Sequence, residues 1–299
     1  MNVMSRDGIL HISLMGGQAR AILIESTELV QEARRIHGLS KIATAALGRT
    51  LTAAAMMGSM LKGRDESITA TIKGGGPIGT VLAVANEKCE VKGYVGNPAI
   101  DLPRTGPKLP VGAAVGHEGR LTVIKDMHLK EPYVGQVNLV SGEIAEDFAM
   151  YFTASEQTPS LVSLGVLVSD EKVISAGGLI VQIMPGASEA AIRSIEMSAG
   201  MFSDISGTMK EYHLEGAVNQ LLLHLEPEVL ERRDPRYACD CSRARVERAL
   251  ITLGAEELKD MIREQHGAQV DCHFCNKRYE FSEEDLQSLL SAATSREDE

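Results

Sequence analysis

Four of the five cysteines of this 299-residue chain lie in two tight pairs near one end, "CDC" at Cys239 to Cys241 and "DCHFC" at Asp271 to Cys275, with 30 residues between Cys241 and Cys272. Four thiolates satisfy a tetrahedral Zn²⁺ ion. A Cys-x-Cys in extended backbone points both sulfurs to one face, because the strand period is two. A Cys-x-x-Cys in a turn brings two sulfurs to one point, so one extended pair and one knuckle can converge on a single ion. The intervening residues have room for two short helices, "SRARVERALITLG" opening on Ser242 as N-cap and "AEELKDMIREQHG". "QVDCHFCNKRYEF" reads as a hairpin whose turn carries the knuckle, and "SEEDLQSLL" as a helix starting at Ser282. A module of roughly 60 residues buries little core, so a metal staple is physically reasonable.

Two other uses of the same cysteines stay open on the residues alone: a purely structural zinc site, and redox disulfides with no metal. His273, between two of the cysteines, and His266 are weaker substitute ligands. Arg232, Arg233, Arg236, Arg243, Arg245 and Arg248 surround "CDC". Guanidinium groups there favour the thiolate, which is also the oxidisable form. A solvated charged helix face accounts for them equally well.

The fold class expected is α+β: an N-terminal, mainly antiparallel sheet domain with helices, a helical middle segment and a small C-terminal four-cysteine zinc module. Residues 1–185 are the α+β core. "GILHISLM" and "QARAILIES" form a hairpin around Gly16-Gly17, and "SITATIKG" alternates like a half-buried strand. "TELVQEARRIHG" is an amphipathic helix ending at Gly38, and an Ala-rich helix follows from Ser40. "SGEIAEDFAMYFTASEQ" reads as a helix capped by Ser141. Residues 186–230 are helical, with one apolar stripe through Ile192, Ile195 and Phe202 and a second through Leu214, Val218, Leu221, Leu222 and Leu225. "EPEVLERRDPRYA" reads as a charged linker, residues 231–299 as the cysteine module, and "TSREDE" as a frayed tail.

Composition narrows the function. No apolar run approaches the roughly 20 residues of a membrane helix, and the N-terminus carries no signal-peptide pattern. The expected compartment is the cytoplasm, where thiols are kept reduced. A net charge of −11, with no Trp, 5 Phe and 6 Tyr, opposes a dedicated nucleic-acid partner. Catalytic zinc needs an open position that four cysteines do not leave. "KGGGPIG" at 73–79 lacks the Lys-Ser/Thr that ends a phosphate loop and reads as a hairpin turn. A non-enzyme is therefore expected. Cys89 has no assigned function and reads as a semi-buried strand residue, and the methionines at 56, 57 and 60 read as core.

The "CDC" and "CHFC" pairs, parted by a helical spacer at the C-terminal end of a chain of this length, resemble the heat-shock protein 33 family of redox-regulated chaperones. The resemblance covers the whole chain. It implies that Cys239, Cys241, Cys272 and Cys275 hold one Zn²⁺ per chain in the reduced, inactive form. It implies oxidation by peroxide or hypochlorous acid to Cys239–Cys241 and Cys272–Cys275 disulfides, with zinc release and unfolding of the module. It further implies an ATP-independent holdase, dimeric when active, whose partners are unfolding proteins. The stripes holding Ile192, Ile195, Phe202, Leu214, Val218, Leu221, Leu222 and Leu225 then become the expected client surface. The alternative expectation is a zinc-ribbon nucleic-acid-binding protein, with the arginine cluster as its support.

Overall fold

The switches of hydropathy between period two and period 3.6 are realised in the computed structural model, which describes residues 6–104, 106 and 108–297. β1 (Gly8–Leu14) and β2 (Ala19–Glu25) pair as the first hairpin, turning at Met15–Gly17, where Gly16 takes φ 63°. α1 (Thr27–His37) stops at Gly38 in the left-handed conformation, and α2 (Lys41–Gly58) starts behind Ser40, whose Oγ accepts the Ala43 N–H at 3.2 Å. β3 (Ser67–Lys73), β4 (Thr80–Asn86) and β5 (Glu90–Val95) form a meander. The short α3 (Val111–Val115) precedes β6 (Arg120–Asp126) and β7 (Tyr133–Asn138). α4 (Ala145–Ala154) leads to the long hairpin of β8 (Ser160–Val168) and β9 (Val173–Ile183).

α4 begins three residues later than a Ser141 cap implies. Asp147, fully buried, accepts the N–H groups of Val140 and Ile144 at 2.7 and 2.9 Å and so caps the helix from inside its first turn. The triple glycine of "KGGGPIG" connects the antiparallel strands β3 and β4, as a hairpin turn should. A Cβ on Gly74 or Gly76 meets the carbonyl oxygens of Val115 and Ala114 at 2.4 and 2.3 Å, so backbone crowding requires glycine there.

α5 (Glu189–Ser198), a 3₁₀ turn at Ala199–Phe202 and α6 (Ile205–Leu222) form the helical segment. α6 is two helices broken at His213, which has φ 54° and ψ −172°. The buried Glu25 accepts the Leu214 N–H at 3.1 Å and faces His213 Nδ1 at 3.3 Å, so a carboxylate from β2 restarts the helix after the break. The linker expected after this segment is instead two strands, β10 (Glu228–Arg233) and β11 (Arg236–Tyr237). β10 adds antiparallel to β1, and β11 parallel to β5. Unpaired sheet edges available on both sheets outweigh the prolines and charges of this stretch, which suit edge strands.

The five-stranded sheet has the order β10-β1-β2-β9-β8 and the six-stranded sheet β11-β5-β4-β3-β6-β7. The first is covered on both faces. Ile9, Ile22 and Ile24 join α1, α2 and α4 in the main core, while Leu10, Ile12, Leu14 and Leu23 pack against α5 and α6. The second buries only alternate residues, such as Ile68, Ala70 and Ile72. Met56 and Met57 are core, as expected. The chain divides into two compact units after Ala238, and the helical segment belongs to the first.

The second unit contains α7 (Arg243–Ile251), α8 (Ala255–Gln265), the hairpin β12 (Gly267–Asp271) and β13 (Arg278–Ser282), and α9 (Glu283–Glu297). Ser282 caps α9 reciprocally with Asp285: its Oγ accepts the Asp285 N–H at 3.2 Å and its N–H donates to Asp285 Oδ2 at 2.9 Å. The stretch expected to fray at 294–299 is helical to Glu297, and 298–299 lie outside the described residues.

One carboxyl gives the first unit a distinct pH signature. Asp7 caps α1 from the lead-in to β1, accepting the Glu28 and Leu29 N–H groups at 3.0 and 2.7 Å. Burial pushes it up to about 7, against those donors and with the help of Glu28 and Glu25. The folded state therefore holds its proton to higher pH than the unfolded chain. Stability from this group is full below about pH 4 and is lost as pH rises to about 7, at up to about 1.4 kcal/mol per pH unit. Subtracting the stability of Asp7→Asn from that of the wild type should leave a difference that falls over this window. A flat difference rules out the raised carboxyl.

Candidate metal centre

The local sequence places each sulfur. Cys239 and Cys241 lie in the non-helical stretch before α7, ended by Ser242, whose Oγ accepts the Arg245 N–H at 3.3 Å. Cys272 and Cys275 occupy the β12–β13 turn, where the Cys275 and Asn276 N–H groups donate to the Cys272 carbonyl at 3.3 and 2.8 Å. The Cys272 N–H donates to the Lys277 carbonyl at 2.9 Å, and Asn276 closes the turn with φ 57°. The Asp271–Arg278 ion pair at 2.9 Å clamps the base of the hairpin. The knuckle expected from the sequence lies in the hairpin turn, and the Cys-x-Cys pair reaches it from the non-helical stretch before α7.

The four Sγ atoms all lie within 4.8 Å of one another, with Cys239–Cys272 at 3.7 Å and Cys241–Cys275 at 3.3 Å. Four thiolates around Zn²⁺ at 2.3 Å have sulfurs about 3.8 Å apart. The spacing fits a tetrahedral metal, and all five cysteines of the chain are free thiols. Among the described residues the metal-capable group consists of these four cysteines, without His273 or His266, and His266 Nδ1 instead faces Glu283 at 3.2 Å.

Cys239, Cys241 and Cys275 do not ionise alike. Burial raises the Cys241 thiol, but hydrogen bonds from Tyr279 and the neighbouring thiols outweigh it and bring it down to about 7. Burial and the neighbouring sulfurs push Cys239 far above the ordinary thiol range, and burial also raises Cys275. Thiolates this close to one another repel, so a divalent cation is the natural complement of the four sulfurs. The core beneath is small: Leu250, Leu258, Tyr279, Phe281, Leu286 and Ala293, with Cys241 and Cys272 packed against it.

The arginines around "CDC" are largely committed to carboxylates. Arg232 pairs with Glu215, Arg233 with Glu231, Arg236 with Glu90, Arg243 with Glu247 and Asp285, and Arg245 with Asp240. Arg243 also lies over the Phe281 ring at 4.3 Å. Cys89 is buried in the β4–β5 turn, outside the four-cysteine group, with its thiol pushed up to about 11 by burial.

The expected client residues lie in the first unit. Ile195, Phe202, Leu214, Val218, Leu221, Leu222 and Leu225 are buried against the five-stranded sheet, and Ile192 is half-buried. The helical period identified an inward face whose partner is this sheet. The large hydrophobic side chains that the segment does show to solvent are Met197, Met201, Tyr212 and Leu223, followed by Val229 and Leu230 on β10. Helical periodicity hides such residues, because they fall on the polar side of the wheel.

A family model described as Hsp33 protein matches residues 7–282. The 33 kDa chaperonin of Clostridioides difficile is 48% identical over 287 residues, covering 95% of this chain and 99% of its own. That of Acetivibrio thermocellus is 47% identical, covering 97% and 99%. The crystal structure of the Thermotoga maritima 33 kDa chaperonin, a heat shock protein 33 homolog, superposes with a TM-score of 0.88 at 38% identity, over 97% of this chain and 100% of that one. Likeness of this extent, in sequence from end to end and in fold, means that the chain belongs to the Hsp33 family.

Proposed function

We propose that this protein is a redox-regulated, ATP-independent holdase of the cytoplasm, held inactive by one Zn²⁺ on Cys239, Cys241, Cys272 and Cys275. The convergence of the four sulfurs over a core too small to stand alone carries the reading. Bound zinc keeps all four as thiolates and fastens β12–β13 to the start of α7. Apparent zinc binding of roughly 10–16 kcal/mol in small modules rivals a whole domain's stability of about 5–15 kcal/mol. Oxidation of the sulfurs removes the ligands, and the unit loses its fold.

The bridges we propose are Cys239–Cys241 and Cys272–Cys275. Once the unit unfolds, partners 30 residues apart separate, while those two or three apart are held together by the chain. The segment 226–238 then leads into unfolded chain and is held by its edge pairing with β1 and β5, which loosens the end of α6. The helical layer is suited to release because it is interrupted at Ala199–Phe202, at His213 and at Leu223–Leu225. Its inward face, including Ile195, Phe202, Leu214, Val218, Leu221, Leu222 and Leu225, with Ile192 at the margin, is the proposed client surface once it leaves the sheet. Dimerisation of the active form belongs to the same reading. Binding of an apolar fluorescent dye should be low for the reduced, zinc-loaded protein and several-fold higher after peroxide at mild heat. Equal binding in both forms would sink the reading.

A further inference from the structure

The Tyr279 ring is 6% exposed, pointing inward from β13 beside Phe281. A phenylalanine fills that space equally well, so the hydroxyl needs a reason. A buried tyrosine hydroxyl requires a partner, and this one donates to Cys241 Sγ at 3.1 Å. The Lys277 ammonium lies 5.2 Å from the centre of the same ring and reinforces the placement. Cys239 and Cys275 instead take backbone donors, the N–H groups of Cys241 and Lys277, which follow from the loop geometry whatever the side chains are. Tyr279 is a side-chain choice directed at one sulfur of four.

We infer that Tyr279 is a positioning residue of the switch, whose hydroxyl fixes the Cys241 sulfur and damps its nucleophilicity, so that oxidation opens at another cysteine and Cys241 closes the bridge. The inference rests on the redox reading above. In the zinc-loaded site every ligand is already a thiolate, and the thiolate is the attacking form. A charge-assisted hydrogen bond draws electron density from the sulfur that accepts it. Nucleophilicity falls with basicity, by about threefold for each unit of basicity lost.

With peroxide as oxidant, a thiolate such as Cys239 attacks one peroxide oxygen. A sulfur–oxygen bond forms as the oxygen–oxygen bond breaks, sulfur is oxidised to sulfenic acid, and the other oxygen leaves as hydroxide. The Cys241 thiolate then attacks that sulfenic sulfur. The sulfur–sulfur bond forms, the sulfur–oxygen bond breaks, and a second hydroxide departs. A damped sulfur is slow in the first step. In the second step its neighbour in sequence is already activated, and proximity compensates for the damping.

The test treats zinc-loaded, full-length wild type and Tyr279→Phe with less than one equivalent of peroxide in the presence of a 1,3-dione that traps sulfenic acids. Mass spectrometry reads the share of label on each cysteine, and a chromogenic chelator reads zinc release. In the wild type Cys241 should carry the smallest share. In Tyr279→Phe its share should rise roughly threefold or more, and zinc should leave faster. Phe281→Leu, which loosens the same core without removing a hydrogen bond to a sulfur, separates positioning from packing: it should raise labelling evenly. Cys241 leading in the wild type, an unchanged share in Tyr279→Phe, or an even rise like that of Phe281→Leu overturns the inference. Wild type that neither labels nor releases zinc overturns the redox reading itself and this inference with it.

Discussion

Cys272→Ser is expected to purify without stoichiometric zinc, with residues 239–299 unfolded, the helical layer released and the two sheets of the first unit intact. The six buried residues of the C-terminal core leave little stability once the metal is gone, since structural zinc contributes on the order of 10 kcal/mol to such modules. The main core of the first unit owes nothing to those sulfurs, because it lies between two sheets and around α2. Hydrogen exchange resolves the two parts: amides of β12 and β13 should lose protection while those of β3 and β9 keep it. The same variant should bind apolar dye without any oxidant. A variant that retains one zinc and a protected β12–β13 hairpin contradicts the reading, because a serine hydroxyl does not replace a thiolate ligand.

The second large effect is expected from Leu214→Ala. Leu214 is fully buried, directly after the break at His213, and its side chain lies against Gly8 of β1, where an added Cβ would meet Leu214 Cδ2 at 2.7 Å. Deleting such a side chain costs about 2–5 kcal/mol in lost transfer energy and residual cavity. The loss falls on a layer already broken into short pieces, so local opening should precede global unfolding. The reduced, zinc-loaded variant should bind dye and protect a client partially while its cysteines remain metal-bound. A variant that is merely less stable, melting earlier with no gain of dye binding or protection, shows that the layer unfolds only with the whole unit and cannot be the released element.

The metal site was legible in the sequence because its determinants are local. Cys-x-Cys, Cys-x-x-Cys, the Ser242 cap and the alternation of β13 each act within a few residues. The half-buried strands of the six-stranded sheet were legible for the same reason. The errors lie where a distant partner decides. Residues 228–237 carry two prolines and a charge run in their surroundings, yet β1 and β5 recruit them as edge strands. α4 starts at Ala145 because Asp147 turns back to cap it, a signal that a search for an N-terminal serine passes over. The apolar stripes of α5 and α6 were found correctly as stripes, but no pattern within a helix states which surface it covers. Tyr279 likewise reads as one more aromatic in a strand, and its hydroxyl gains a role only when Cys241 arrives from 38 residues away.

The most direct measurement is a single time course on the reduced, zinc-loaded protein under peroxide at mild heat. Zinc release is followed with a chromogenic chelator and protection by light scattering of a thermally unfolding client added to aliquots. If the four cysteines are the switch, protection rises with the zinc that leaves and approaches its full value as one zinc per chain is lost. Zinc loss with no protection, or protection while the zinc stays bound, reduces the cluster to a structural staple and contradicts the proposed mechanism.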